Sequence, residues 1–199
     1  MIYQANPDLE AVGVSEVLSV FAYGSLVYGT TRPDSDLDYI IVTKEQPTVE
    51  EQQVGSCDFH FFSEADFQDR IAEHELSALE CLWVPPTMRW GKEYSTTIDK
   101  AKLRKSISAK ASNSWVKAKK KLEVEQEYLI GRKSLFHSFR ILLFGIQLAK
   151  FGKIVDYTDG RRFFHEIVLS GHNDWDFFNK HYKPTHNMIA SEFRKFAPK

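Results

Sequence analysis

Residues Ala22–Val42 read AYGSLVYGTTRPDSDLDYIIV, and the placement of their charges decides the fold. The run Leu37–Thr43 is mostly β-branched and aromatic, so it is predicted to be a strand. Yet it opens on Asp36 and Asp38, which are poor strand formers and repel one another. Side chains two apart on a strand share a face, so both carboxylates project together while Leu37 and Tyr39 anchor the opposite side. The turn-rich segment TRPDSD before them reads as a loop, and Asp34 beside Pro33 belongs to it. Upstream, SVFAYG reads as a short strand ended by Gly24.

A second strand acid, Asp58 in VGSCDFHFF, can complete a three-carboxylate cluster if its strand neighbours the first. Phe59 and Phe61 then face the core, and Asp58 and His60 lie opposite. Three hard oxygen donors aimed at one spot suit Mg²⁺, which takes one or two carboxylates together with substrate phosphate oxygens. Without a cation, mutual repulsion raises a carboxylate pKa and weakens the sheet. Gly24-Ser25 fits the same purpose. SLVYG can form one helical turn whose free N–H groups, with the Ser25 hydroxyl, meet phosphate, and Gly24 allows a close approach. Separately, Gly-Ser and Asp-x-Asp are weak signals. Joined by ten residues, and followed by a later strand aspartate, they are specific.

With that combination the chain resembles the DNA polymerase beta-like nucleotidyltransferase superfamily. The fuller pattern, YGSLVYGTTRPDSDLDYIIV, is similar to the branch called the RNA-repair-pathway DNA polymerase beta family of bacteria and phages. His60 stands where relatives carry an apolar residue or Thr. The resemblance implies an α+β fold: a mixed sheet with flanking helices, followed by an all-helical half. It implies two Mg²⁺ ions, with Mn²⁺ as the alternative, bridged by Asp36 and Asp38. Asp58 would bind the first ion and receive the acceptor's proton. Gly24 and Ser25 would hold the β- and γ-phosphates of an NTP such as ATP, and pyrophosphate would leave. The acceptor hydroxyl implied is an RNA or tRNA end, as in RNA repair. A protein side chain, a small molecule, or a non-catalytic nucleotide- or RNA-binding module are the alternatives.

The rest of the chain is read as follows. The segment Asn6 to Leu18 is predicted as a helix capped by Asn6 with Pro7 in its first turn. Val54 to Phe62 is predicted as one strand, and Ser63 opens a capping-box-like SEAD and a helix to His74. ELSALECLWV reads as helical and stops at Pro85-Pro86. From Asp99 to Lys150 apolar residues recur at helical spacing, with Gly131 dividing two long helices. YTDGRRFFHEIVLSG and KPTHNMIASEFRKFA read as short helices. The expected division is a catalytic domain over 1–90 and a helical domain over 91–199 that completes the nucleotide and acceptor cleft.

Charge follows the same division. Residues 1–99 carry 5 Lys/Arg against 18 Asp/Glu, whereas residues 100–162 carry 16 against 5. Either the basic half meets polyphosphate or nucleic acid, or its lysines solvate outward helix faces. Lys133, His137 and Arg140 recur at i, i+4 and i+7 on a hydrophobic helix, so they share one face. Such a stripe is costly unless it finds anions or snorkels beside the core; the anions expected are nucleotide phosphates or acceptor phosphates, and nucleotide binding is assigned to it. In WVKAKKK, Lys117 to Lys121 could contact RNA phosphates, or be offset by Glu123, Glu125 and Glu127. The two cysteines form no CxxC pair, no histidine spacing suits zinc, and no apolar run spans a bilayer. With no basic and apolar leader, a cytoplasmic setting and no membrane partner are expected.

Overall fold

A computed structural model describes residues 16–198. The helix expected over Asn6 to Leu18 lies outside the described residues, except that Val17 and Leu18 open the first strand. The chain divides into two compact units, one ending at Thr96 and the other beginning at Thr97.

The first unit is built in chain order from β1 (Val17–Tyr23), α1 (Ser25–Tyr28), β2 (Leu37–Thr43), β3 (Glu51–Val54) and β4 (Cys57–Ser63). Next come α2 (Glu64–Ala72), α3 (Leu76–Leu82), a 3₁₀ turn (Pro86–Met88) and β5 (Arg89–Gly91). The sheet order is β3-β4-β2-β1-β5. β2 and β4 are parallel, and every other neighbouring pair is antiparallel. β2 is therefore the central strand, and Tyr39, Ile40, Ile41 and Val42 are all buried, as a strand covered on both faces requires. One face is glued by Tyr39 stacked on Phe59 at 5.6 Å, the other by Phe21 stacked on Phe67 of α2 at 5.7 Å.

Val54 to Phe62 is not one strand. Val54 pairs with Cys57 and Gln53 with Asp58, so Gly55-Ser56 is a two-residue hairpin turn with Gly55 at φ 60°. The polar run Glu51–Gln53 gives no apolar alternation because it forms the sheet edge, where charge is favoured. The Ser63 cap holds as read: its hydroxyl accepts from the Asp66 N–H at 3.1 Å.

The second unit is helical: α4 (Lys100–Glu123), α5 (Tyr128–Phe151), α6 (Arg161–Phe163), a π turn (Phe164–Val168) and α7 (Trp175–Phe196). Asp99 caps α4, accepting from Ala101 N and Lys102 N at 2.8 and 3.0 Å. The break between α4 and α5 falls at Val124–Glu127 rather than at Gly131. Gly131 lies inside α5, where a Cβ would stand 2.7 Å from Leu122 Cγ. It is a close-packing position between antiparallel helices, not a breaker. Likewise the last helix starts at Trp175, eight residues before Lys183, and runs through Pro184. Proline removes one backbone donor, but Phe178, His186, Ile189 and Phe193 form a buried stripe that carries the helix across. Among the described residues no helix is long and apolar enough to cross a membrane.

Two predictions come from this packing. At Gly145 a Cβ would meet Ile107 Cγ2 at 2.7 Å and the Phe193 ring at 3.0 Å. Alanine would favour the helix by ~1 kcal/mol, but overpacking costs ~1–3 kcal/mol. Gly145→Ala should therefore lower the thermal midpoint, and a rise would refute the close contact. His186 is 7% exposed, against Trp115 at 4.5 Å and Phe139 at 5.2 Å between ring centres. Burial, then the Lys183 charge, lowers its pKa to about 4. The unfolded chain takes up that proton first, so the stabilisation is complete above pH ~6.5 and is lost as pH falls toward 4, by on the order of 3 kcal/mol. Urea denaturation across that range should show a steeper acid limb in the wild type than in His186→Phe.

Candidate active site

The site begins where β1 ends. Gly24 has φ 67° and ψ −143°, a conformation that L-residues avoid. Its carbonyl accepts from Val27 N and Tyr28 N, both at 3.1 Å, which turns the chain into α1. Gly29, at φ 65°, ends that single turn. The following loop is held locally: Arg32 N donates to Ser35 Oγ at 2.9 Å and Ser35 N to Arg32 O at 3.0 Å. Asp34 pairs with Arg32 at 2.7 Å and is exposed, so loop chemistry accounts for it.

The chain then re-enters the sheet beside the corner it left. Asp38 is the register partner of Tyr23 on β1 and of Asp58 on β4. In-register partners on adjacent strands project to the same face, so Asp38 and Asp58 stand side by side, both half-buried. A Cβ placed on Gly24 would lie 2.0 Å from Asp38 Oδ2 and 2.8 Å from its Cγ. The Asp38 carboxylate thus occupies the space that any side chain at residue 24 would need. Next to it, Ser25 Oγ is shut off from solvent and has no hydrogen-bond partner among the described residues. A buried hydroxyl in that state is a donor awaiting an acceptor.

Asp36 is exposed, just ahead of β2. The charges of Asp36 and Asp58 both reach Cys57, whose thiol pKa is raised by burial first and then by Asp58, with Asp36 adding to it. Asp36 and Asp58 therefore flank the start of β4. Among the described residues no group of three or more His, Cys, Asp or Glu side chains is gathered closely enough to hold a metal. The donor set still suits a hard cation: Asp38 and Asp58 supply paired carboxylates in register, and Mg²⁺ typically completes its shell with water and substrate phosphate.

Two features escaped the sequence reading. Tyr28 Oη donates to Glu80 Oε2 at 2.5 Å, and both residues are buried. Glu80 lies on α3, so this bond ties the Gly-Ser corner to the helical layer. The only sequence signal was an acid within an otherwise apolar helix. The second is a hollow of 240 Å³ lined by Glu51, Gln52, Gln53, Asp58, Phe59 and His60. It borders Asp58, and His60 Nδ1 lies 3.2 Å from Glu51 Oε1 across the hairpin.

In the helical unit, Lys133 is exposed and Arg140 is 5% exposed, its guanidinium 5.0 Å over the Phe144 ring. Arg140 Nε donates to His137 Nδ1 at 3.3 Å. His137 keeps a partly exposed edge. Burial of the rest, then Arg140, Lys133, Lys117 and Lys110 in that order, hold its pKa well below the ordinary value. The helix thus brings the predicted triad together as a neutral imidazole among cations. The lysine run divides: Lys119 pairs with Glu123 at 3.7 Å, Lys120 with Glu125 at 2.6 Å and Lys121 with Glu127 at 2.8 Å. Lys117 is left outside these pairs.

Residues 9–103, just under half the chain, match the family model described as a nucleotidyltransferase domain. The match supports the superfamily that the Gly-Ser and Asp-x-Asp signature resembles and does not separate its branches. Comparison with curated proteins yields no match.

The geometry predicts different costs at two glycines. Gly55 is also at positive φ, but nothing lies within 4 Å of its Cβ position. Gly55→Ala should cost only the backbone term, ~1–2 kcal/mol. Gly24→Ala must also displace Asp38, so chemical denaturation should show a clearly larger loss for Gly24→Ala.

Proposed function

With nucleotidyltransferase-domain sequence in its N-terminal part, the chain is a transferase, and we propose that it moves an NMP from an NTP to a hydroxyl of RNA, most plainly a tRNA or RNA end. The observation that carries this reading is the meeting of Gly24, Ser25, Asp38 and Asp58. A buried hydroxyl without an acceptor and two in-register carboxylates share one corner of the sheet.

In this reading Ser25 donates its hydroxyl to a β- or γ-phosphate oxygen. Gly24 lets Asp38 reach the same corner. Asp36, Asp38 and Asp58 would hold Mg²⁺, two ions, or Mn²⁺, which when bound would neutralise phosphate charge and acidify the acceptor hydroxyl. Asp58 accepts the proton as the acceptor oxygen forms its bond to the α-phosphorus. The bond from that phosphorus to the bridging oxygen breaks, and pyrophosphate leaves with the electron pair. No protein nucleophile is needed, so the gain is positioning and electrostatics. Lys133, His137 and Arg140 supply cationic and neutral donors for phosphate, either of the nucleotide or of the acceptor. RNA is favoured as acceptor over a protein or a small molecule by the charge of the helical unit, where residues 100–162 carry 16 Lys/Arg against 5 Asp/Glu.

The experiment is incubation of the chain with each labelled NTP, Mg²⁺ and total tRNA, with label followed into RNA and into protein. Label should enter RNA, and Asp38→Asn should abolish it. Ser25→Ala loses one hydrogen bond to a charged group, ~1.5–3 kcal/mol, and should raise the KM for NTP at least about tenfold. Label in protein would identify the alternative acceptor. Activity surviving Asp38→Asn would refute the assignment of the site, and no pyrophosphate with any acceptor would leave a binding module.

A further inference from the structure

α4 and α5 pack antiparallel with a register set by three contacts: Leu122 against Gly131, Trp115 with Phe139 at 6.3 Å between ring centres, and Ile107 against Gly145. That register sets Lys117 across from His137, and Lys110 one and a half to two turns further along, beyond Arg140. Lys110 and Lys117 are seven residues apart, as are Lys133 and Arg140, so each pair lies along one face and spans ~10 Å. All four charges bear on His137. The two 24-residue helices thus carry two parallel basic rows, in which Lys117 and Lys133 are exposed, Lys110 half-buried and Arg140 buried.

Acids are almost missing from these helices. α4 contains one, Glu123 at its last residue, and α5 contains none. Glu123, Glu125 and Glu127 are taken by Lys119, Lys120 and Lys121. Hydrogen bonds from Lys120 and then from Lys121 hold the Glu125 pKa at about 2. Lys117 and Lys133 are exposed and stand in none of these pairs. Arg140 Nε donates to His137 Nδ1, which places the neutral ring's proton on Nε2 as a further donor.

We propose that Lys110, Lys117 and Lys133, set around His137 and backed by the buried Arg140, form a strip that holds the sugar-phosphate backbone of single-stranded RNA. A strip ~10 Å long exceeds one nucleotide step, so it can meet more than one phosphate of the same strand. Lys119, Lys120 and Lys121 stay outside it, because their own acids neutralise them. The inference deepens the RNA-acceptor reading and rests on it. It assigns where the acceptor is gripped rather than where it reacts.

The test is fluorescence anisotropy of a short labelled single-stranded RNA with the full chain, titrated with salt and without NTP or divalent ion. Each phosphate contact contributes ~0.7 to the slope of log K against log salt. The double variant Lys117→Ala/Lys133→Ala should flatten that slope by about 1.4 and weaken binding roughly tenfold at moderate salt. Lys119→Ala/Lys120→Ala should leave both unchanged. An unchanged slope in the first variant, or an equal loss in the second, overturns the strip. So does displacement of the RNA by inorganic tripolyphosphate at matched concentration, which would mark a nucleotide site instead. Binding through the strip without any nucleotidyl transfer would sink the proposed reaction and leave the strip standing. Transfer to RNA that is indifferent to Lys117 and Lys133 would do the reverse.

Discussion

The space above the Gly24 Cα is filled by the Asp38 carboxylate, and the rest of the first unit is arranged around that contact. For the carboxylate to be there, β1 and β2 must pair with Tyr23 opposite Asp38. Residue 24 must also lack a Cβ and adopt a left-handed φ. The same glycine turns the chain into α1, so the Ser25 hydroxyl and the strand acid arrive at one place. Parallel pairing of β2 with β4 then adds Asp58. A slip of one residue in either pairing would send the aspartates to the opposite face. Register thus does the work that sequence proximity cannot, since Gly24 and Asp58 are far apart along the chain.

The residue order gives Gly24 one task, close approach of a phosphate to the backbone, and packing adds a second: its missing Cβ leaves room for the Asp38 carboxylate. Both need the smallest residue. The Tyr28–Glu80 bond supports the same corner from behind. A single turn of four residues has little stability of its own, so a buried hydrogen bond to a helix of the next layer is what orients it.

Charge in the helical unit is sorted rather than spread. The acids cluster at the α4–α5 turn and pair with the nearest lysines, and the exposed Lys117 and Lys133 stand outside those pairs. His137 marks where that field concentrates. The imidazole stays neutral because it is largely buried and because four cations oppose a fifth. Arg140, buried beside it, rests its guanidinium on the Phe144 ring, a cation–π contact that offsets part of its desolvation.

Much was legible from residue order. The β-branched and aromatic run Leu37–Thr43, the alternation of Phe59 and Phe61 and the Ser63 cap follow from strand propensity, a period of two and hydrogen-bonding capacity, which are local properties. The helical second half was legible for the same reason. Three features were not. Gly55-Ser56 was read through as strand because its polar partner Glu51–Gln53 gave no apolar signal. Gly131 was read as a break because propensity favours that, whereas contact with Leu122 outweighed it. The last helix, expected from Lys183 with Pro184 at its start, begins at Trp175, because a buried stripe on both sides of the proline outweighs one missing bond. By itself, then, the sequence determined which segments are strand or helix, which residues carry acid or base, and the superfamily signature. Only the tertiary structure decided which residues meet: Asp38 with Gly24 and Asp58, Tyr28 with Glu80, and Gly131 with Leu122. The physical reason is that those meetings depend on strand register and helix–helix register, which are set by side chains packing across elements rather than by any spacing along the chain.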